Sequence, residues 1–177
     1  LEHGEVSLDR SVVWVDTLAF EGLVVTARRM DDVNGEIEDA THATEKAMRL
    51  YYGPFLRFEE ESSWQLPYQE RLRTQFRRLM MLVARSWPAS SAIEALERAI
   101  EIDPAAEVLH RRLITLLAEG GRQAEGTEAY QRCERVLRAT LGVAPSAETQ
   151  ALLHRLGVTR PVKGSARAQC KDIRADR

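Results

Sequence analysis

One phrase of this chain is written twice, and its period constrains the fold more than any other feature. Ala92, Leu96 and Ala99 of SAIEALERA recur 34 positions later as Gly126, Tyr130 and Cys133 of EGTEAYQRC. Phe76, Leu79, Met80 and Val83 are matched at the same offset by His110, Leu113, Ile114 and Leu117. Small residues stand where two helices must approach closely, and large apolar ones stand a turn away. That is the pattern of tetratricopeptide-type helix pairs, in which each pair buries its apolar face on its neighbours.

The 34-residue period predicts helices around the doubled stretch, and the punctuation agrees. A long helix from about Leu66 carries Leu72, Phe76, Leu79, Met80 and Val83 and stops before Pro88. Asp103 and Pro104 read as N-cap and first residue of the helix bearing Leu109, Leu113 and Leu117, which Gly120 and Gly121 close. The next helix runs from Arg122 to about Leu141, with Gly142 at its end. Pro145 and Ser146 then open a short helix with Leu152, Leu153 and Leu156 on its buried side.

Upstream, Asp16 reads as the N-cap of a helix to about Asp31, and Asn34 and Gly35 break it. A helix over about Glu36 to Tyr52 carries Ala43, Ala47 and Leu50 at the spacing of Ala92, Leu96 and Ala99, which predicts a degenerate first pair. Residues 4–15, GEVSLDRSVVWV, alternate as two short strands about Asp9 and Arg10. An isolated hairpin is marginal in water, so it packs on the helices or has lost its sheet partners. The opening at Leu1 rather than Met points to a piece of something longer. Beyond Gly157 the sequence is basic, polar and without period, and reads as a flexible tail over 158–177.

Composition narrows function mainly by exclusion. With 44% hydrophobic and 29% charged residues and a net charge of -2, the chain has no global pull toward nucleic acid or anionic lipid. No segment approaches the about 20 apolar residues of a membrane span. Two cysteines, Cys133 and Cys170, make neither a disulfide framework nor a metal-ligand spacing and point to a reducing cytoplasm. His3, His42, His110 and His154 are scattered, with no triad, zinc or phosphate-loop signature, so no catalytic residue, metal site or cofactor is expected. His110 is read as a core residue in the place of Phe76, and Cys133 as a small hydrophobe in the place of Ala99.

Two features invite a partner. Arg77 and Arg78 are matched by Arg111 and Arg112 at the repeat offset, and the register puts Arg77 and Arg111 on the concave face. They would form a forked receptor for a carboxylate or phosphate, against the plainer reading of a solvated basic face. Trp64, Tyr68 and Trp87 flank the long helix as an aromatic contact surface or as caps on the ends of the core.

The phrases GEVSLDRSVVWVDTLAFEGL, LYYGPFL and EIDPAAEVLHRRLITLLAEGGRQAEGTEAYQRCERVLRATLGVAPSAETQALL, in that order, resemble the bacterial transcriptional activator domain of Streptomyces antibiotic regulatory protein type regulators. The resemblance implies an all-α, tetratricopeptide-like domain of about three helix pairs plus a capping helix over 16–157. Residues 1–15 would then be the closing β-hairpin remnant of a winged-helix DNA-binding domain, with DNA reached only through that missing upstream part. It also implies a non-enzymatic effector and self-association role in a dimeric transcription regulator. Its partners would be proteins: a second copy, other domains of the same regulator, or RNA polymerase. A stand-alone helical-repeat adaptor for an acidic peptide, or a small-molecule sensor, is the alternative. Gly126 departs from the usual alanine, at about 0.5–1 kcal/mol of helix stability, and Ser86, Trp87 and Pro88 replace an expected glycine turn.

Overall fold

The computed structural model describes residues 9, 12–32, 37–56 and 62–157. They form α1 (Asp16–Asp32), α2 (Ile37–Leu50), α3 (Gln65–Ser86), α4 (Ala89–Ile102), α5 (Glu107–Glu119), α6 (Gln123–Leu141) and α7 (Ala147–Arg155), with no strand among the described residues. The fold is all-helical, as the repeat predicted. Most of the expected hairpin and all of 158–177 lie outside the described residues; Val12 and Val13 donate their N–H groups to the Asp9 carbonyl in a turn. Among the described residues, no helix is long and apolar enough to cross a membrane.

Three helix pairs, α1 with α2, α3 with α4 and α5 with α6, are stacked in chain order: α1 on α3, α4 and to a lesser extent α3 on α5, and α5 on α7. The second helices α2, α4 and α6 do not touch one another among the described residues. The periodic positions explain this layering. Phe76, Leu79, Met80 and Val83 and their repeat mates His110, Leu113, Ile114 and Leu117 are all buried between first helices. Ala92, Leu96 and Ala99, with Gly126, Tyr130 and Cys133, are the buried seams of α4 and α6. Ala43 and Ala47 are buried on α2 at the same spacing, which makes α1 and α2 the degenerate first pair.

Several boundaries follow a different logic from the one read in the sequence. Asp103 does not cap α5: it ends α4, its carbonyl accepts the Ala106 N–H at 3.1 Å, and Ala106 holds the cap position. Its carboxylate is drawn instead to Arg77, which satisfies a charge where a cap would satisfy one N–H. Asp16 is the first helical residue rather than the cap, its Oδ1 accepting the Thr17 N–H at 2.7 Å. Of the glycine pair closing α5, Gly121 alone takes the left-handed backbone, at φ +73°. Ser146, which with Pro145 reads in the sequence as the opening of the short helix, is the cap of α7, its hydroxyl accepting the Thr149 N–H.

Gly126 has a purpose the repeat alone did not reveal. A Cβ there would stand 2.6 Å from Cδ2 of Leu156, so the glycine lets the residue ending α7 close onto α6. The absent side chain costs helix propensity but gains a buried leucine, worth more than the propensity lost. Gly126→Ala should therefore fail to yield its about 0.5–1 kcal/mol of helix stabilisation in the native chain and yield it once Leu156 is also Ala. A thermal-unfolding double-mutant cycle reads this; equal effects in both backgrounds would contradict the contact.

Candidate functional site

The four arginines singled out in the sequence go to different partners. Arg77 on α3 donates from Nε to Oδ2 of Asp103 at 2.7 Å, closing its own pair. Arg111 on α5 meets Glu148 of α7 at 2.6 Å. Arg112 donates from Nη2 to the Ala84 carbonyl at 2.6 Å, satisfying an acceptor in the last turn of α3 and tying α5 to it. Arg78 alone is exposed. Internal carboxylates thus stand where an acidic partner was expected on Arg77 and Arg111.

The aromatic residues divide into two places. Trp64 and Tyr68 gather around Phe55 at the start of α3, with centroids 6.2 and 4.8 Å from it in edge-on geometry. The Arg71 guanidinium lies over Tyr68 at 4.7 Å while pairing with Glu21 at 2.9 Å. Trp87 lies at the other end of the helix, roughly 33 Å away by helical rise. The three do not form one surface.

Trp87 instead borders a groove between α2 and α4. α2 touches α3 far less than α4 touches α5, so the first pair splays from the second and leaves a hollow of about 570 Å³. Phe76, Tyr51, Ala95, Ala99 and Ile102 make its apolar floor. Tyr51 stacks on Phe76 at 4.3 Å with an interplanar angle of 18° and leans on Phe20 at 5.4 Å. Burial, and then the nearby Asp103 charge, push its hydroxyl up to about 12, so the ring is a neutral packing element at any physiological pH. Tyr52, next in the chain, is 79% exposed on the rim. Glu45 and Arg49 of α2 and Glu94, Arg98 and Glu101 of α4 complete that rim. Sequence reasoning missed this groove; its one signal was the Ser86, Trp87, Pro88 joint in place of a glycine turn.

Among the described residues, no group of His, Cys, Asp or Glu is arranged to hold a metal ion. What the geometry offers is surface on a layered helical repeat. Residues 15–156, nearly the whole of the described chain, match the family described as the bacterial transcriptional activator domain. The chain belongs to this family. No curated protein and no solved structure matches it.

The family is regulatory rather than catalytic, and Cys133, His110 and Glu107 of this activator domain serve its packing. Burial pushes the Cys133 thiol up to about 12, helped by the Glu107 and Glu134 charges, which leaves it protonated and unreactive. His110 is fully buried, with Nε2 2.9 Å from the Pro104 carbonyl. Its imidazole is therefore the tautomer that donates from Nε2, and burial holds its pKa below the ordinary histidine value, against the Pro104 hydrogen bond. Burial would raise the Glu107 carboxyl, but hydrogen bonds from Ser146 Oγ and N–H at 2.6 and 2.7 Å outweigh it and hold the carboxyl below its usual value.

These two shifts contribute to the acid response of the activator domain. A histidine depressed on folding is protonated more readily unfolded, so its contribution is full above about pH 6.5 and is lost as pH falls toward the folded value. Glu107 adds its loss only below the ordinary carboxylate value of 4.5. Melting temperature should fall between pH 7 and 5, and His110→Phe, which restores the residue of the other repeat, should flatten that segment. An unchanged slope in the variant would remove His110 as its cause.

Proposed function

We propose that this chain is the effector and self-association domain of a bacterial transcription regulator, acting in the cytoplasm through protein contacts. The observation that carries the reading is the family match over residues 15–156. A stacked helical repeat in which Arg77, Arg112 and Glu107 are spent on internal joints supports it, because such a scaffold supplies surface rather than a reaction centre. DNA is reached through an upstream winged-helix domain of the same regulator. A second copy, neighbouring domains or RNA polymerase are the protein partners.

Two surfaces named from the sequence enter this reading in reduced form. Arg78, which is exposed, and Arg111, held by a Glu148 that is itself 75% exposed, are the positions from which an acidic partner segment would be gripped. Arg77 and Arg112 hold the repeat together. Trp64, 63% exposed beside Tyr68, is the aromatic contact at the start of α3.

The test joins the 177-residue chain to a DNA-binding module that occupies its operator only as a dimer, upstream of a reporter promoter. Operator occupancy reports self-association, and transcription above that of a dimeric module lacking the chain reports an effector role. Occupancy without added transcription would reduce the chain to a dimerisation element. Neither signal would overturn the reading.

A further inference from the structure

We infer that two copies of this chain associate through the groove between α2 and α4, with Tyr52 of each copy seated in the groove of the other. The inference rests on the self-association reading and names its surface.

A two-fold contact places one patch against itself, so the patch must contain both the projection and the hollow that receives it. This face has both. The groove of about 570 Å³ is lined by the half-buried Met48, Trp87 and Ile102, and no helix of its own copy fills it. Tyr52 stands on its rim with 79% of its surface in solvent. Its neighbour Tyr51 is buried and stacked on Phe76, so the backbone that presents Tyr52 is fixed before any partner arrives. An exposed tyrosine on a rigid mount beside an apolar hollow is the composition of an interface anchor.

The charges argue for a second copy over a foreign peptide. Glu45, Arg49, Glu94, Arg98 and Glu101 surround the hollow, and none of their side chains pairs with another described residue. A receptor for an acidic or a basic segment would carry one sign. Both signs, unanswered within the chain and mixed on one rim, are what a surface needs to be complementary to itself.

Sedimentation equilibrium of the full 177-residue chain tests this with wild type, Tyr52→Ala and the Arg49→Glu/Arg98→Glu double variant, circular dichroism confirming that each is folded. The expected result is a wild-type dimer that Tyr52→Ala weakens by at least about tenfold in Kd. The double variant, whose rim is then wholly acidic, should be monomeric at low salt and regain dimer as salt screens the repulsion. A wild-type dimer indifferent to both variants would overturn the groove assignment while leaving self-association standing on another face. A wild-type monomer up to about millimolar concentration would overturn both.

Discussion

Phe76→Ala is expected to lower the unfolding free energy by about 3–5 kcal/mol, the largest effect of any single truncation in this chain. The ring is fully buried, and it is the surface on which Tyr51 stacks. Because α2 barely touches α3, the run from Phe20 through Tyr51 to Phe76 carries much of the joint between the first pair and the rest. The loss should therefore be uneven. In hydrogen exchange, amides of α1 and α2 should lose more protection than those of α5 and α6, since a repeat array fails first at its weakest joint. Uniform loss across all three pairs would show that the joint is not held there.

The second large effect separates two arginines that occupy the same repeat position. Arg77→Ala should cost about 1–3 kcal/mol, because it strands the Asp103 carboxylate, whose side chain is only 8% exposed. The cost falls short of a fully buried pair because 30% of the Arg77 side chain is in water. Arg111→Ala removes a pair whose Glu148 is 75% exposed and should cost at most about 1 kcal/mol. Changing Asp103 to Ala alongside Arg77 should recover part of the first loss, since no unpaired charge then remains. Urea titration of the three variants reads all of this, and equal costs for Arg77 and Arg111 would contradict the assignment.

These expectations also explain why the arginine fork looked like a receptor in the sequence. Arginines repeating at one period do mark carboxylate sites, and the carboxylates are there: Asp103 for Arg77, 26 residues away, and Glu148 for Arg111. Locally Asp103 reads as a helix cap, since Asp before Pro is a good start signal. Three residues of turn before α5 free it from that task, and nothing local announces the turn. Trp64 and Trp87 flank one helix and sit at its opposite ends, so the aromatic residues divide between two places.

The sequence alone carries the 34-residue repeat and the buried faces of α3 to α7, whereas on α1 it left Phe20 and Ala27 unread. Apolar spacing and small residues at the seams act within a few residues of the chain, so they are legible without coordinates. It also determined the inert character of Cys133 and the core place of His110, because each stands where its repeat mate is apolar. Long-range packing sets which charges are spent internally, how Gly126 admits Leu156, and the lean of α2 away from α3 that leaves a groove. Those depend on the angle between pairs, and that angle is set by volumes meeting across distant segments, which no local pattern records.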